Sequence, residues 1–81
     1  MKTRFADGRV PEKNRSARKM VAAELKTARL SKKLTQQELA DMTGTQKSNI
    51  CRMESGSYNP SLDFLVKVAN SLDRELKVTL E

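Results

Sequence analysis

Apolar side chains recur along this chain at intervals that predict helices for most of its length. Val21, Leu25 and Ala28 fall on one helical face with Arg29 beside them, so a first helix is expected, its start lying between Pro11 and Arg18. Pro11-Glu12 suits a first turn, since proline lacks an N–H that a helix start leaves unused and an acid there complements the helix dipole. Thr35-Gln36-Gln37-Glu38 reads as a capping box that opens a second helix at Gln36, which carries Leu39, Ala40 and Met42 and stops at Thr43-Gly44. Thr45 is the expected cap of a third helix, Gln46 to Glu54, closed by Ser55-Gly56. After the loop Ser57-Tyr58-Asn59-Pro60, Ser61 caps a fourth helix whose apolar stripe is Leu62, Leu65, Val66, Ala69 and Leu72. The period then changes: Glu75 to Leu80 alternates polar and apolar, which predicts a short strand with Leu76, Val78 and Leu80 on one face. A lone strand needs a ladder partner, so it is expected to pair across a two-fold axis or with another protein.

These elements predict an all-α bundle of four to five helices with a short C-terminal β-strand. The expected division is a basic arm or helix start over 1–18, a helical domain over 19–73 and a tail over 74–81 that serves a dimer or partner interface. A chain of 81 residues is one small domain whose core alone supplies little net stability, which makes self-association an expectation from length.

Charge sharpens the picture. Residues 1–33 hold eleven Lys or Arg against three acids (11 − 3 = +8), whereas 34–81 hold five against seven (5 − 7 = −2). A basic arm of this kind supplements phosphate contacts of a nucleic-acid reader, although Met1 to Val10 is equally consistent with a solvated tail. There is no apolar run of membrane-spanning length and no signal-peptide pattern, so a cytoplasmic protein without a membrane partner is expected. Cys51 is the lone cysteine and histidine is absent, which leaves no expected metal site. Neither a catalytic constellation nor a cofactor motif is present, and an enzyme is not expected.

On a wheel of about 100° per residue, the third helix turns Ile50 and Met53 inward, with Glu54 and Gln46 at the margin. Ser48, Cys51 and Arg52 face away, flanked by Lys47 and Asn49. Such a face is short and polar enough to enter a major groove, where arginine bonds guanine bidentately and serine meets several base edges. It would equally suit an ordinary solvated surface. Glu54, half turned toward apolar neighbours, needs a partner for its charge.

The stretch Gln36 to Met53 resembles the helix-turn-helix of the lambda-repressor and Cro family, the Xre-type regulators. The residues that carry the likeness are Ala40, small where two helices cross; Gly44 at the turn; and Ile50 and Met53, where the second helix of the pair packs on the first. It extends from about Leu25 to Leu72. The resemblance implies a transcriptional repressor that binds double-stranded DNA as a homodimer on a palindromic operator, with recognition helices about 34 Å apart. It implies base reading by Gln46, Lys47, Ser48, Cys51 and Arg52, and phosphate binding by Gln36 with Lys32, Lys33 and Asn49 nearby. Tyr58 and Asn59 would meet a neighbouring phosphate or form a simple Asn-Pro turn. Arg29 and Glu54 would form an internal ion pair.

Beyond Leu72, where phage repressors continue into a fifth helix, the layout is similar to HigA-type antitoxins, which repress their own operon and bind a small RelE- or HigB-like ribonuclease toxin. Asp73 stands where such chains often carry glycine. Leu76, Val78 and Leu80 are then the expected dimer interface. A stand-alone repressor without a toxin, and a protein-binding adaptor on the same fold, are the alternatives.

Overall fold

The order of capped amphipathic segments along the chain becomes four helices in the computed structural model, which describes residues 16–56 and 59–80. They are α1 (Ser16–Ser31), α2 (Gln36–Thr43), α3 (Lys47–Ser55) and α4 (Leu62–Ser71). The basic arm, the Pro11-Glu12 start and Tyr58 lie outside the described residues. α3 packs against both α1 and α2, and α4 closes on α2. Leu39 of α2, Ile50 of α3 and Val68 of α4 meet Leu72 in a core from which water is fully excluded. Ala40 is also fully buried, so α2 is packed on its neighbours at a residue that offers only a methyl group.

Local chemistry explains the helix ends. The Thr35 hydroxyl accepts from the Glu38 N–H (3.0 Å) while the Glu38 carboxylate accepts from the Thr35 N–H (2.9 Å), the reciprocal box that opens α2. The Thr35 backbone N–H, and then its hydroxyl, hold the Glu38 carboxyl below its ordinary pKa. A depressed carboxyl stabilises the fold above its ordinary pKa and loses that contribution as pH falls through the lowered folded value, so this cap weakens only in acid. Ser61 caps α4 by accepting from Phe64 N–H at 3.1 Å.

α1, α2 and α4 leave by one geometry, in which a residue at positive φ lets its own N–H and that of the next residue bond back to the last carbonyls. After α2 the residue is Gly44 (φ 78), and a Cβ there would meet nothing within 4 Å, so glycine is needed for its backbone alone. After α3, Gly56 (φ 75) serves two purposes, since a Cβ would also lie 3.2 Å from the Lys19 Cα of α1. After α1 and α4 the positive-φ residues are Lys33 (φ 58) and Asp73 (φ 56). Lys33 N–H bonds Leu30 O at 2.9 Å and Leu34 N–H bonds Arg29 O at 3.2 Å; Asp73 N–H bonds Asn70 O at 3.1 Å and Arg74 N–H bonds Ala69 O at 2.8 Å. A left-handed conformation costs an L-residue about 1–2 kcal/mol, part of which glycine returns as lost chain entropy. Lys33→Gly is therefore expected to stabilise the domain by about 1 kcal/mol, read as a Tm rise of roughly 4–8 °C. A Tm unchanged or lowered would show that the lysine side chain contributes more than its backbone conformation costs.

Three expectations need correction. No strand is present among the described residues: 74–80 is irregular, because a strand exists through its ladder and a single chain offers this segment none. α3 is capped by Gln46, without a side-chain bond, and not by Thr45, whose hydroxyl instead accepts from Asn49 Nδ2 at 2.9 Å. Of the expected α4 stripe, Ala69 and Leu72 are buried and Leu65 packs against the core, but Leu62 and Val66 are exposed and Val68 is buried instead. Among the described residues no helix is long and apolar enough to cross a membrane.

Candidate nucleic-acid interface

The candidate site begins with how α3 is held. Ile50 and Met53 anchor its inner side, at 0% and 2% exposure, and this leaves Lys47, Ser48, Cys51 and Arg52 exposed along the outer side. Gln46 is exposed as well; standing before the first helical turn, it escapes the inward direction that a wheel assigns it. The five side chains named for base reading are thus all exposed to solvent. Asn49 is half-buried and its amide is engaged by Thr45, so it braces the start of α3 from within.

A buried polar hub fixes α3 relative to the rest. Arg29 Nε donates to Glu54 Oε2 at 2.7 Å and Arg29 Nη2 to Glu54 Oε1 at 3.1 Å, a two-pronged pair whose side chains are 8% and 3% exposed. Arg29 Nη1 donates to the Leu34 carbonyl at 2.6 Å, and Gln36 Nε2 donates to Glu54 Oε1 at 3.0 Å. Four pieces of chain, namely α1, the α1–α2 turn, the first residue of α2 and the last turn of α3, are tied by one carboxylate and one guanidinium. Among the described residues no buried side-chain nitrogen or oxygen lacks a hydrogen bond, which is the condition under which a buried ion pair is tolerated. The Gln36 bond was not legible from spacing; it follows from α2 starting beside the end of α3.

The start of α2 offers an anion a second set of donors. The capping box uses the N–H groups of Thr35 and Glu38, and those of Gln36 and Gln37 belong to the same first turn, at the positive end of the helix dipole. Lys33 is exposed just upstream. Lys32 reaches the other way: its Nζ lies 2.8 Å from Asp73 Oδ2 in a solvent-open pair, 37% and 82% exposed. The hydrogen bond and then the charge of Lys32 hold the Asp73 carboxyl below its ordinary pKa. Asn59 is exposed after α3. Among the described residues no group of three His, Cys, Asp or Glu side chains is placed to hold a metal ion.

Comparison with known proteins places this geometry. A family model described as helix-turn-helix matches residues 25–78. The "Uncharacterized HTH-type transcriptional regulator y4dL" of Sinorhizobium fredii is 38% identical over 56 residues, which is 69% of this chain and 29% of the relative. The "Uncharacterized HTH-type transcriptional regulator YqaE" of Bacillus subtilis is 37% identical over 62 residues, 76% of this chain and 53% of the relative. The chain therefore spans between about a third and a half of the length of these relatives. A solved structure described as "Toxin-Antitoxin module from Streptococcus pneumoniae" superposes with a TM-score of 0.68 at 33% identity, covering 95% of this chain and 88% of that one.

Proposed function

The chain belongs to the helix-turn-helix family, and from that premise we propose that it is a sequence-specific double-stranded DNA-binding transcriptional regulator. The observation that carries the reading is the outer face of α3: four exposed side chains on the helix and Gln46 at its cap, on a helix whose inner face and last turn are locked to α1 and α2. In this reading α3 enters the major groove, where Arg52 and Lys47 address guanine and Gln46, Ser48 and Cys51 meet neighbouring base edges. The first turn of α2, with Gln36 and Lys33, grips a backbone phosphate; Asn59 and Tyr58 supply further backbone contacts, whereas Lys32 is held by Asp73, and Asn49 holds α3 in place for them. Two copies on a two-fold axis read a palindromic operator, joined through the tail that carries Leu76, Val78 and Leu80. The relatives' names, which describe transcriptional regulators, support the same reading.

The likeness to a toxin-antitoxin module over nearly the whole chain favours a finer assignment. The protein is then the antitoxin of its pair, repressing its own operon and binding a small RelE- or HigB-like ribonuclease toxin. Titration of the purified protein against its own upstream DNA and a scrambled duplex over a range of salt tests the first level. A preference of about a thousandfold or more, with affinity falling steeply as salt rises, is expected. Equal weak binding to both duplexes would transfer the fold to a protein-binding adaptor. Co-expression with the neighbouring small gene tests the second level: a stable complex is expected, and a chain that purifies alone and protects cells from nothing is a stand-alone repressor.

A further inference from the structure

The dimer invoked above needs a surface, and the tail carries two features that do not satisfy themselves. Val78 and Leu80 are 69% and 94% exposed, on a segment that has no ladder partner. Beside the root of that segment lies an open groove of about 500 Å³ between α1 and residues 74–76. Val21, Leu25, Ala28 and Leu76 give it apolar walls, and Glu24 and Arg74 add charge. Its lining comes from α1, α4 and the tail, so the groove does not share residues with the outer face of α3.

We propose that the occupant of this groove is the tail of a second copy, with Val78 and Leu80 of each chain seated against α1 of the other. The proposal rests on the dimeric reading and specifies how that dimer is made. One chain presents an apolar projection and an apolar recess contiguous along its own backbone, and a two-fold axis satisfies both at once, since each contact is made twice. The charges agree: Lys77 is the single charged residue of 76–80, and the groove carries two acids, Glu24 and Glu75, against one base, Arg74. Because the groove is separate from α3, closing it leaves both recognition helices open to DNA.

Cross-linking distinguishes this arrangement from tails that pair with each other. In a Cys51→Ser background, one preparation carries Ala23→Cys, at an exposed position lining the groove, and another carries Leu80→Cys. The two are mixed, equilibrated and oxidised. The expected product is a covalent dimer joining position 23 of one chain to position 80 of the other, since a disulfide forms only where Cα atoms come within about 7 Å. Links between two 80 positions in preference to 23–80 would overturn the groove and favour strand-on-strand pairing. Sedimentation of the unmodified chain is the control for the reading beneath: a monomer at every concentration removes the dimer itself. With the dimer present, Leu80→Asp and Ala23→Arg are each expected to weaken it at least tenfold with unchanged helical circular dichroism. Unchanged self-association in both variants would refute the proposal. Specific operator binding is read separately in the titration, so its failure is not confused with failure of the groove.

Discussion

Glu54→Ala is expected to cost this domain about 3–5 kcal/mol, a large share of its stability. The substitution leaves the Arg29 guanidinium buried with the Leu34 carbonyl as its remaining acceptor and leaves the Gln36 amide without its partner. Breaking a buried pair on one side costs about 3–5 kcal/mol, because the surviving charge is uncompensated in a medium that solvates it poorly. A domain of this size has roughly 4–12 kcal/mol in total, so the loss takes between about a quarter of that stability and all of it. Urea denaturation of the variant set gives the answer. Arg29→Met should lose a comparable amount, whereas Arg29→Met combined with Glu54→Leu should recover much of it, since two apolar groups leave no orphaned charge. Glu54→Gln keeps the acceptor for Gln36 but not the charge, and should fall between. If Glu54→Ala shifted stability by less than about 1 kcal/mol, the hub would be no stronger than a surface pair and α3 would be held by Ile50 and Met53 alone.

The parts of this fold that were legible in the sequence are those decided within a few residues. Thr35 with Glu38, Gly44, Gly56 and Ser61 each act on backbone groups one turn away, and each stands in the structure as its local chemistry dictates. Where the deciding partner is distant, the pattern misleads. α4 is apolar on several sides, through Leu62, Phe64, Leu65, Val66, Val68, Ala69 and Leu72, and the core it shares with the other helices selects the stripe that is buried. Lysine is a poor indicator of a left-handed residue, whereas Asp73 stands where similar chains often carry glycine; both adopt that conformation as the chain turns back toward the core at Leu34 and Leu76. The alternation of 75–80 leaves Val78 and Leu80 exposed together, but alternation supplies no ladder, and without one the segment is irregular. The candidate interface divides the same way: that Ser48, Cys51 and Arg52 point outward follows from helical period, whereas the coupling of Gln36 to Glu54 depends on how two helices meet.

Arg52→Ala is expected to weaken operator binding by about 5- to 150-fold, the span of a bidentate arginine–guanine contact, while scarcely affecting stability. Its exposure on the outer face of α3 means that truncation opens no cavity and breaks no buried bond, and the Arg52 backbone carbonyl still accepts from Ser55 Oγ. The loss should fall mainly on the operator and less on a scrambled duplex, so the specificity ratio contracts. Lys33→Ala makes the contrast. Removing a phosphate contact should weaken both duplexes about equally and make the plot of log affinity against log salt shallower by about 0.9 for each phosphate released. Measured side by side, the pair separates reading from gripping: one variant changes selectivity at nearly constant salt slope, the other changes salt slope at nearly constant selectivity. If Arg52→Ala and Ser48→Ala together left operator affinity intact in a folded protein, α3 would not be the reading helix. The hub that holds it would then serve stability alone, and the polar outer face would be ordinary solvated surface.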